Sequence, residues 1–252
     1  MKLAELSWPA IQRLAPHTPV VFPIAAMEQH GHHLPVLVDS LLTEEIVQRV
    51  ETRLTDSILV APLQWLGNSH HHLEYAGTLS ASPRVYLDLL IDLAESVLRH
   101  DFRRIVFING HGGNDVPAKQ ALFELRQRYR LRTDLLFAMT TYWGLNSQPW
   151  LREPSLHQRE MGHACEWETS MMMAIAPQLV GSIDSLPVVE PGNPFRPGHR
   201  AWITQDRSGP GHIGWPNLAT AQKGECLLQV FADDLTAWLE RIIAWDGQSW
   251  SG

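Results

Sequence analysis

Four short apolar runs rich in β-branched residues are spaced along this chain, and a stretch with helical periodicity follows each. The runs are 20–26, 58–61, 104–108 and 135–142. Apolar runs of this length without polar alternation fit strands covered on both faces. Asp39 or Ser40 is placed to cap a helix that carries Leu42, Ile46, Val47 and Val50 on one side. Ser82 followed by Pro83 opens a second helix, to about His100. Asn114 and Asp115 can cap a third, which ends near Tyr129. A fourth runs from about Gly162 to before Pro177, and a last amphipathic one from about Asn217 to Ile243. Alternation of this kind predicts an α/β fold with a mostly parallel sheet and helices on both faces. Ligands of such sheets bind at the carboxyl ends of the strands. The stretch from Asp184 to Pro216 is crowded with Pro and Gly. It reads as a loop at the site or at an oligomer contact, because one helix beyond it could not fold alone. The expectation is one domain over residues 1–252.

Polar clusters fall just after three of the strands, and histidine dominates them. The chain has 13 histidines, including His30, His32 and His33 and the run His70-His71-His72. The formal net charge of -7 carries no basic block, which argues against nucleic acid or an anionic membrane surface as partner. Two cysteines, Cys165 and Cys226, make no disulfide framework. No apolar leader or long apolar stretch is present, so a cytoplasmic protein is expected.

Glu28, His30 and Asp39 put two carboxylates and an imidazole within 12 residues. Glu28 and His30 project to the same side of an extended segment. Carboxylate with imidazole is a ligand mix for zinc, manganese or iron(II). Asn109-Gly110-His111-Gly112-Gly113-Asn114 lies between a strand and a helix and offers His111 as a further ligand. It matches neither G-x-G-x-x-G nor a Walker pattern, and the chain has no G-x-S-x-G elbow. In His163-Ala164-Cys165-Glu166-Trp167-Glu168, helical spacing puts His163 and Glu166 on one face and Glu168 away from it. Consecutive His70, His71 and His72 point different ways, so His70 and His71 are expected at a pocket rim.

Together these segments resemble the creatininase (creatinine amidohydrolase) family. Glu28-Gln29-His30-Gly31, with His33-Leu34-Pro35 and Asp39, carries the resemblance, as do the GHGGN segment at 110–114, His163-x-x-Glu166-x-Glu168-Thr169-Ser170, and Gly214-x-Pro216 through Lys223-Gly224. The resemblance implies a three-layer α/β/α sandwich, a dinuclear metal centre and a homohexamer. It implies that Glu28 and His111 hold one metal, that His30 holds the other and that Asp39 bridges them. Creatininase has a further glutamate ligand inside the segment that here reads Gly112-Gly113-Asn114, and Glu166 is expected to replace it. The metals would be two divalent ions, zinc, manganese or iron. A hydroxide held between them would attack an amide carbonyl. His163 matches the proton shuttle, and Glu168 would orient it or a substrate amine. Gln29, His33 or Asn114 would orient ligands, and Ser69, His72, Gly112 and Trp143 would touch a small, cyclic or linear, substrate. Creatininase has a tyrosine where Gly112 stands, so specificity for creatinine is not expected. Relatives with the GHGGN form include a formamidopyrimidine deformylase, a peptidase of mycofactocin maturation and a hydrolase of oxidised inositol. The expected reaction is therefore metal-dependent hydrolysis of a C–N bond. The alternatives are a lactone or inositol-type ring substrate, and a non-catalytic metal-binding protein.

Overall fold

The structure, a computed structural model, describes residues 1–145, 147–195 and 197–248. Four parallel strands form its sheet: β1 (Val20–Ile24), β2 (Leu59–Val60), β3 (Arg104–Asn109) and β4 (Leu136–Thr141), in the order β2-β1-β3-β4. Each lies within or within one residue of a predicted run. The helices are α1 (Trp8–Gln12), α2 (Val38–Arg53), α3 (Pro83–Leu98), α4 (Asp115–Arg128), α5 (Glu166–Ile175) and α6 (Ala221–Ala244). Side-chain alternation along the sheet divides the core in two. Val21, Val106 and Ile108 pack with α2, α5 and α6, while Val20, Phe22, Ile24, Ile105 and Phe107 pack with α3 and α4. The result is the expected three-layer arrangement, with both faces of the central strands buried.

The chain runs from β1 through α2 to β2 on one side, then through α3 to β3 on the other side of β1. The direction of winding therefore reverses between β1 and β3, which opens a crevice at their carboxyl ends. Glu28 to Asp39 follows β1, and His111 follows β3, so both segments reach that crevice.

Three local expectations are corrected. Asp39 and Ser40 do not cap α2, because the helix starts at Val38 and both lie in its first turn. The Ser40 hydroxyl instead donates to the Ala26 carbonyl at 2.8 Å. Asn114 makes no side-chain cap. Its amide ties the ends of β1 and β3 together, donating to the Ala25 carbonyl at 2.9 Å and the Asn109 Oδ1 at 3.2 Å. The fourth predicted helix starts at Glu166, four residues late, because Ala164 takes a positive φ of 47° and Cys165 is extended.

Candidate metal centre

Glu28, His30, Asp39, His111, His163 and Glu168 converge at the crevice. Asp39 stands between two imidazoles, with Oδ1 3.2 Å from His30 Nε2 and Oδ2 2.9 Å from His111 Nδ1. Glu28 Oε1 lies 3.3 Å from His111 Nδ1 and 3.6 Å from His163 Nδ1. Glu168 Oε1 lies 3.7 Å from His30 Nε2. The backbone partners fix which nitrogen of each ring carries hydrogen. His30 Nδ1 faces the Glu28 carbonyl at 3.1 Å, His111 Nε2 the Asn68 carbonyl at 2.9 Å and His163 Nε2 the Gln29 carbonyl at 2.8 Å. A carbonyl only accepts, so in the neutral ring each of these nitrogens donates and the other one presents its lone pair to the carboxylates.

Lone pairs facing carboxylates repel unless a cation lies between them. Among the described residues, Glu28 Oε2, His30 Nε2 and Asp39 Oδ2 are fully buried with no hydrogen-bond partner. Orphaned buried polar atoms are costly, and native structures rarely leave them so. The donor set of carboxylates and imidazoles fits divalent zinc, manganese or iron. Among the described residues, ligand atoms of four overlapping groups come within 4.8 Å of one another: Glu28, His30 and Asp39; His30, His163 and Glu168; Glu28, His71 and His111; and Glu28, His72 and His163.

Without metal, protons take that place. Burial disfavours charge on His30, but Asp39 and then Glu168 outweigh it and raise its pKa well above 6.5. Glu28 and Asp39 do the same for His111. Asp39 is held below the ordinary carboxylate range: burial opposes this, and His30 and His111 overcome it. His163 goes the other way, pushed down to about 3 by burial and by His30, and is therefore neutral.

Glu166 is not part of this cluster. It is fully buried, 2.6 Å from Lys223 Nζ, and accepts the backbone N–H of His157 at 2.9 Å and of Gln158 at 2.8 Å. Glu166 is thus taken up by Lys223 and two backbone N–H groups and lies outside the cluster in which the family resemblance placed it as a ligand. Glu168 faces the cluster instead. Its Oε2 accepts the Cys165 N–H at 3.3 Å in a capping box, which aims Oε1 at His30. The GHGGN loop leaves no room for a carboxylate of its own at Gly113. A Cβ there would run into the Asn68 carbonyl oxygen and come within 2.5 Å of His111 Nε2.

A cavity of about 660 Å³ opens over the cluster. His72, Gly112 and Trp143 line it as expected. Ser69 does not: it is fully buried behind His111, its hydroxyl 3.2 Å from Nε2. The short 3-10 turn His70–His72 sorts the histidine run. His70 points out to Ser80, whereas His71 stacks on His111 with ring centroids 5.8 Å apart and lines the cavity, contrary to its expected place at the rim. His72 Nδ1 lies 2.9 Å from the Gln29 amide nitrogen and 2.8 Å from the Thr204 hydroxyl, and that amide is oriented by Gly31 N and the Gly211 carbonyl. His72 Nε2 lies 3.3 Å from Glu28 Oε1. Gln29 and Asn114 thus support the cluster, while His33 turns its Nε2 to the Thr169 hydroxyl at 2.9 Å. The Pro/Gly-rich stretch forms one wall of the cavity, with Pro191, Asn193, Arg200, Trp202 and Arg207. Sequence reasoning placed His71 at the rim and missed Trp202 and Arg207, which a long loop brings to the cavity from far along the chain.

The family profile of creatinine amidohydrolase matches residues 4–239. The chain belongs to the creatininase family. It is 28% identical to a creatinine amidohydrolase of Pseudomonas putida over 244 residues, covering 90% of this chain and 92% of that protein. It is 29% identical to a mycofactocin precursor peptide peptidase of Mycobacterium tuberculosis over 241 residues, covering 90% and 85%. It is 22% identical to a 3-dehydro-scyllo-inosose hydrolase of Thermotoga maritima, covering 89% and 76%. A solved tryptophan-to-phenylalanine mutant of creatininase superposes with a TM-score of 0.81 at 26% identity, covering 95% of this chain and 97% of that one. Creatininase has also been solved in a manganese form, and a glutamate-to-glutamine mutant of it in a zinc–zinc form.

Proposed function

We propose that this chain is a metal-dependent hydrolase that cleaves an amide C–N bond in a small molecule. The observation that carries this reading is the buried meeting of carboxylates and imidazoles, with Asp39 between His30 Nε2 at 3.2 Å and His111 Nδ1 at 2.9 Å and Glu28 Oε2 left with no hydrogen-bond partner. Glu28 and His111 would hold one divalent metal, His30 and Glu168 the other, and Asp39 both, since each of its oxygens faces a different imidazole. Bound there, zinc, manganese or iron would supply a water of lowered pKa and polarise a substrate carbonyl. Glu168 thereby moves from the expected catalytic role to a ligand role. His163 offers a neutral Nδ1 beside Glu28, held in orientation by the Gln29 carbonyl. It takes the proton of the attacking water and hands it to the leaving nitrogen. His72 packs its Nε2 against Glu28 Oε1 at 3.3 Å. Gly112, with nothing within 4 Å of a Cβ built on it, leaves floor space for the substrate, and Trp143 walls it. The family habit of a homohexamer is carried over with this reading.

The test is a panel of small amides, formamides, creatinine, a short peptide and an inosose-type ring. The protein is first stripped by chelator and then reloaded with zinc, manganese or iron(II). The expected result is release of acid plus amine from at least one amide, abolished by the chelator and restored by metal. Turnover of the ring substrate alone would replace the amide reading with the ring-opening one, and no turnover with any metal would contradict a hydrolase.

A further inference from the structure

We propose that Gln29 and Gly211 are a positioning pair for His163, so that residues 211–213 of the Pro/Gly-rich stretch set the pose of the imidazole that moves the proton. The proposal rests on the hydrolase reading, which gives His163 that task. His163 stands ahead of α5, separated from it by the left-handed Ala164, so the helix does not hold it. Its supports come from two other segments. The His163 N–H donates to the Ile213 carbonyl at 3.0 Å, and the Ile213 N–H donates to the His163 carbonyl at 2.7 Å. Gly162 permits that approach, because a Cβ there would run into the Ile213 carbonyl oxygen. The ring donates from Nε2 to the Gln29 carbonyl at 2.8 Å.

Gln29 is held by the same stretch that holds His163. Its buried side chain accepts the Gly31 N–H through Oε1 at 2.8 Å and donates from Nε2 to the Gly211 carbonyl at 2.8 Å. The amide nitrogen also lies against the His163 ring, 3.0 Å from its Nε2. Gly211 takes a positive φ of 88°, and a Cβ there would run into Gln29 Oε1. Glycine meets both demands. His212, between Gly211 and Ile213, ties the stretch to itself by donating from Nε2 to the Pro187 carbonyl at 2.8 Å. Residues 211–213 therefore form a clamp with one end on Gln29 and the other on His163. Gln29 stands between the proposed ligands Glu28 and His30, so the clamp is referenced to the metal centre. It leaves His163 Nδ1 facing Glu28 Oε1 at 3.6 Å. Neither Gln29 nor Gly211 is among the residues that line the cavity. Loss of the clamp should thus act on the chemical step and not on substrate capture, and a misplacement of about 1 Å can cost on the order of 100-fold in rate.

The experiment is a double-mutant cycle of Gln29→Ala and Gly211→Ala in the zinc-loaded protein, with two readouts. The first is turnover of an amide that the wild type cleaves. Each single variant should lower kcat about tenfold or more and keep KM within about twofold. The double variant should be no worse than Gln29→Ala, because the added methyl then meets no amide. Losses that multiply, or that fall on KM, overturn the proposal. So does loss of zinc from Gln29→Ala, which would make Gln29 a support of the ligands and not of His163. The second readout needs no turnover. It is hydrogen exchange, by mass spectrometry, of the peptide that carries the Ile213 and Gly214 N–H groups. An ordinary hydrogen bond is worth about fivefold in an equilibrium, so exchange there should be at least about threefold faster in Gln29→Ala. Unchanged exchange overturns the proposal. Gln29→Asn, one methylene shorter, takes the place of Gln29→Ala in both readouts if that variant does not fold. Faster exchange without hydrolysis of any amide removes the hydrolase reading and leaves the clamp standing. Hydrolysis with unchanged exchange does the reverse.

Discussion

Glu166 and Glu168 stand two residues apart at the start of α5 and face opposite ways. Glu166 points into the seam between α5 and α6, where the Lys223 ammonium and two backbone N–H groups satisfy it. Glu168 points into the crevice. Residue spacing predicts the opposite division because it treats His163 as helical, and only the left-handed Ala164 shows that it is not. The buried pair makes its own prediction. Lys223→Met leaves the Glu166 carboxylate buried and unpaired, which should cost about 3–5 kcal/mol of stability in denaturant unfolding while the metal content stays as in the wild type. Loss of metal with no loss of stability would return Glu166 to the ligand set. The imidazoles give a second prediction, on pH. In the metal-free chain His30 and His111 have folded pKa values above the 6.5 of the unfolded chain. Their contribution to stability is therefore complete below about pH 6.5 and lost as pH rises through the folded values. The thermal midpoint of the chelator-treated protein should fall from near neutrality upward. The metal-loaded protein, in which cations replace those protons, should hold its midpoint there. Parallel curves for the two forms would contradict this.

Elements were more legible than residues. The parallel strands are covered on both faces, so their apolar runs stand out, and Ser82 with Pro83 marks the start of α3. The convergence of Glu28, His30, Asp39 and His111 was legible too, because the segment from Glu28 to Asp39 follows β1, His111 follows β3, and the sheet topology brings those two strand ends together. The short helix α1 was not, since five residues carry too little periodicity. Loop shape at the end of β3 is the element that most constrains the centre. Gly113 lies against His111 and the Asn68 carbonyl, whereas Gly112 faces open space. Gly113→Ala should displace His111 and lower zinc content at least severalfold in mass spectrometry of the purified protein. Gly112→Ala should keep its zinc. Equal zinc in both variants would show that the loop yields, and that His111 does not depend on its close packing.

At the scale of the whole molecule, a reversal of winding between β1 and β3 makes the crevice, and the residues that close it come from far along the chain. The described part of the Pro/Gly-rich stretch packs beside the cavity through contacts such as Thr204 with His71 and Gly211 with Gln29. A reading of local pattern finds a loop there but not its destination, since Pro and Gly specify turns and not tertiary partners. Among the described residues, no helix is long and apolar enough to cross a membrane. The central claim is a two-metal centre completed by Glu168 from α5, and metal stoichiometry tests it most directly. Mass spectrometry of the zinc-reconstituted protein should find about two ions per chain in the wild type and in Glu166→Gln, and about one in Glu168→Gln. Fewer than one per chain in the wild type, or two in Glu168→Gln with one in Glu166→Gln, would contradict the account.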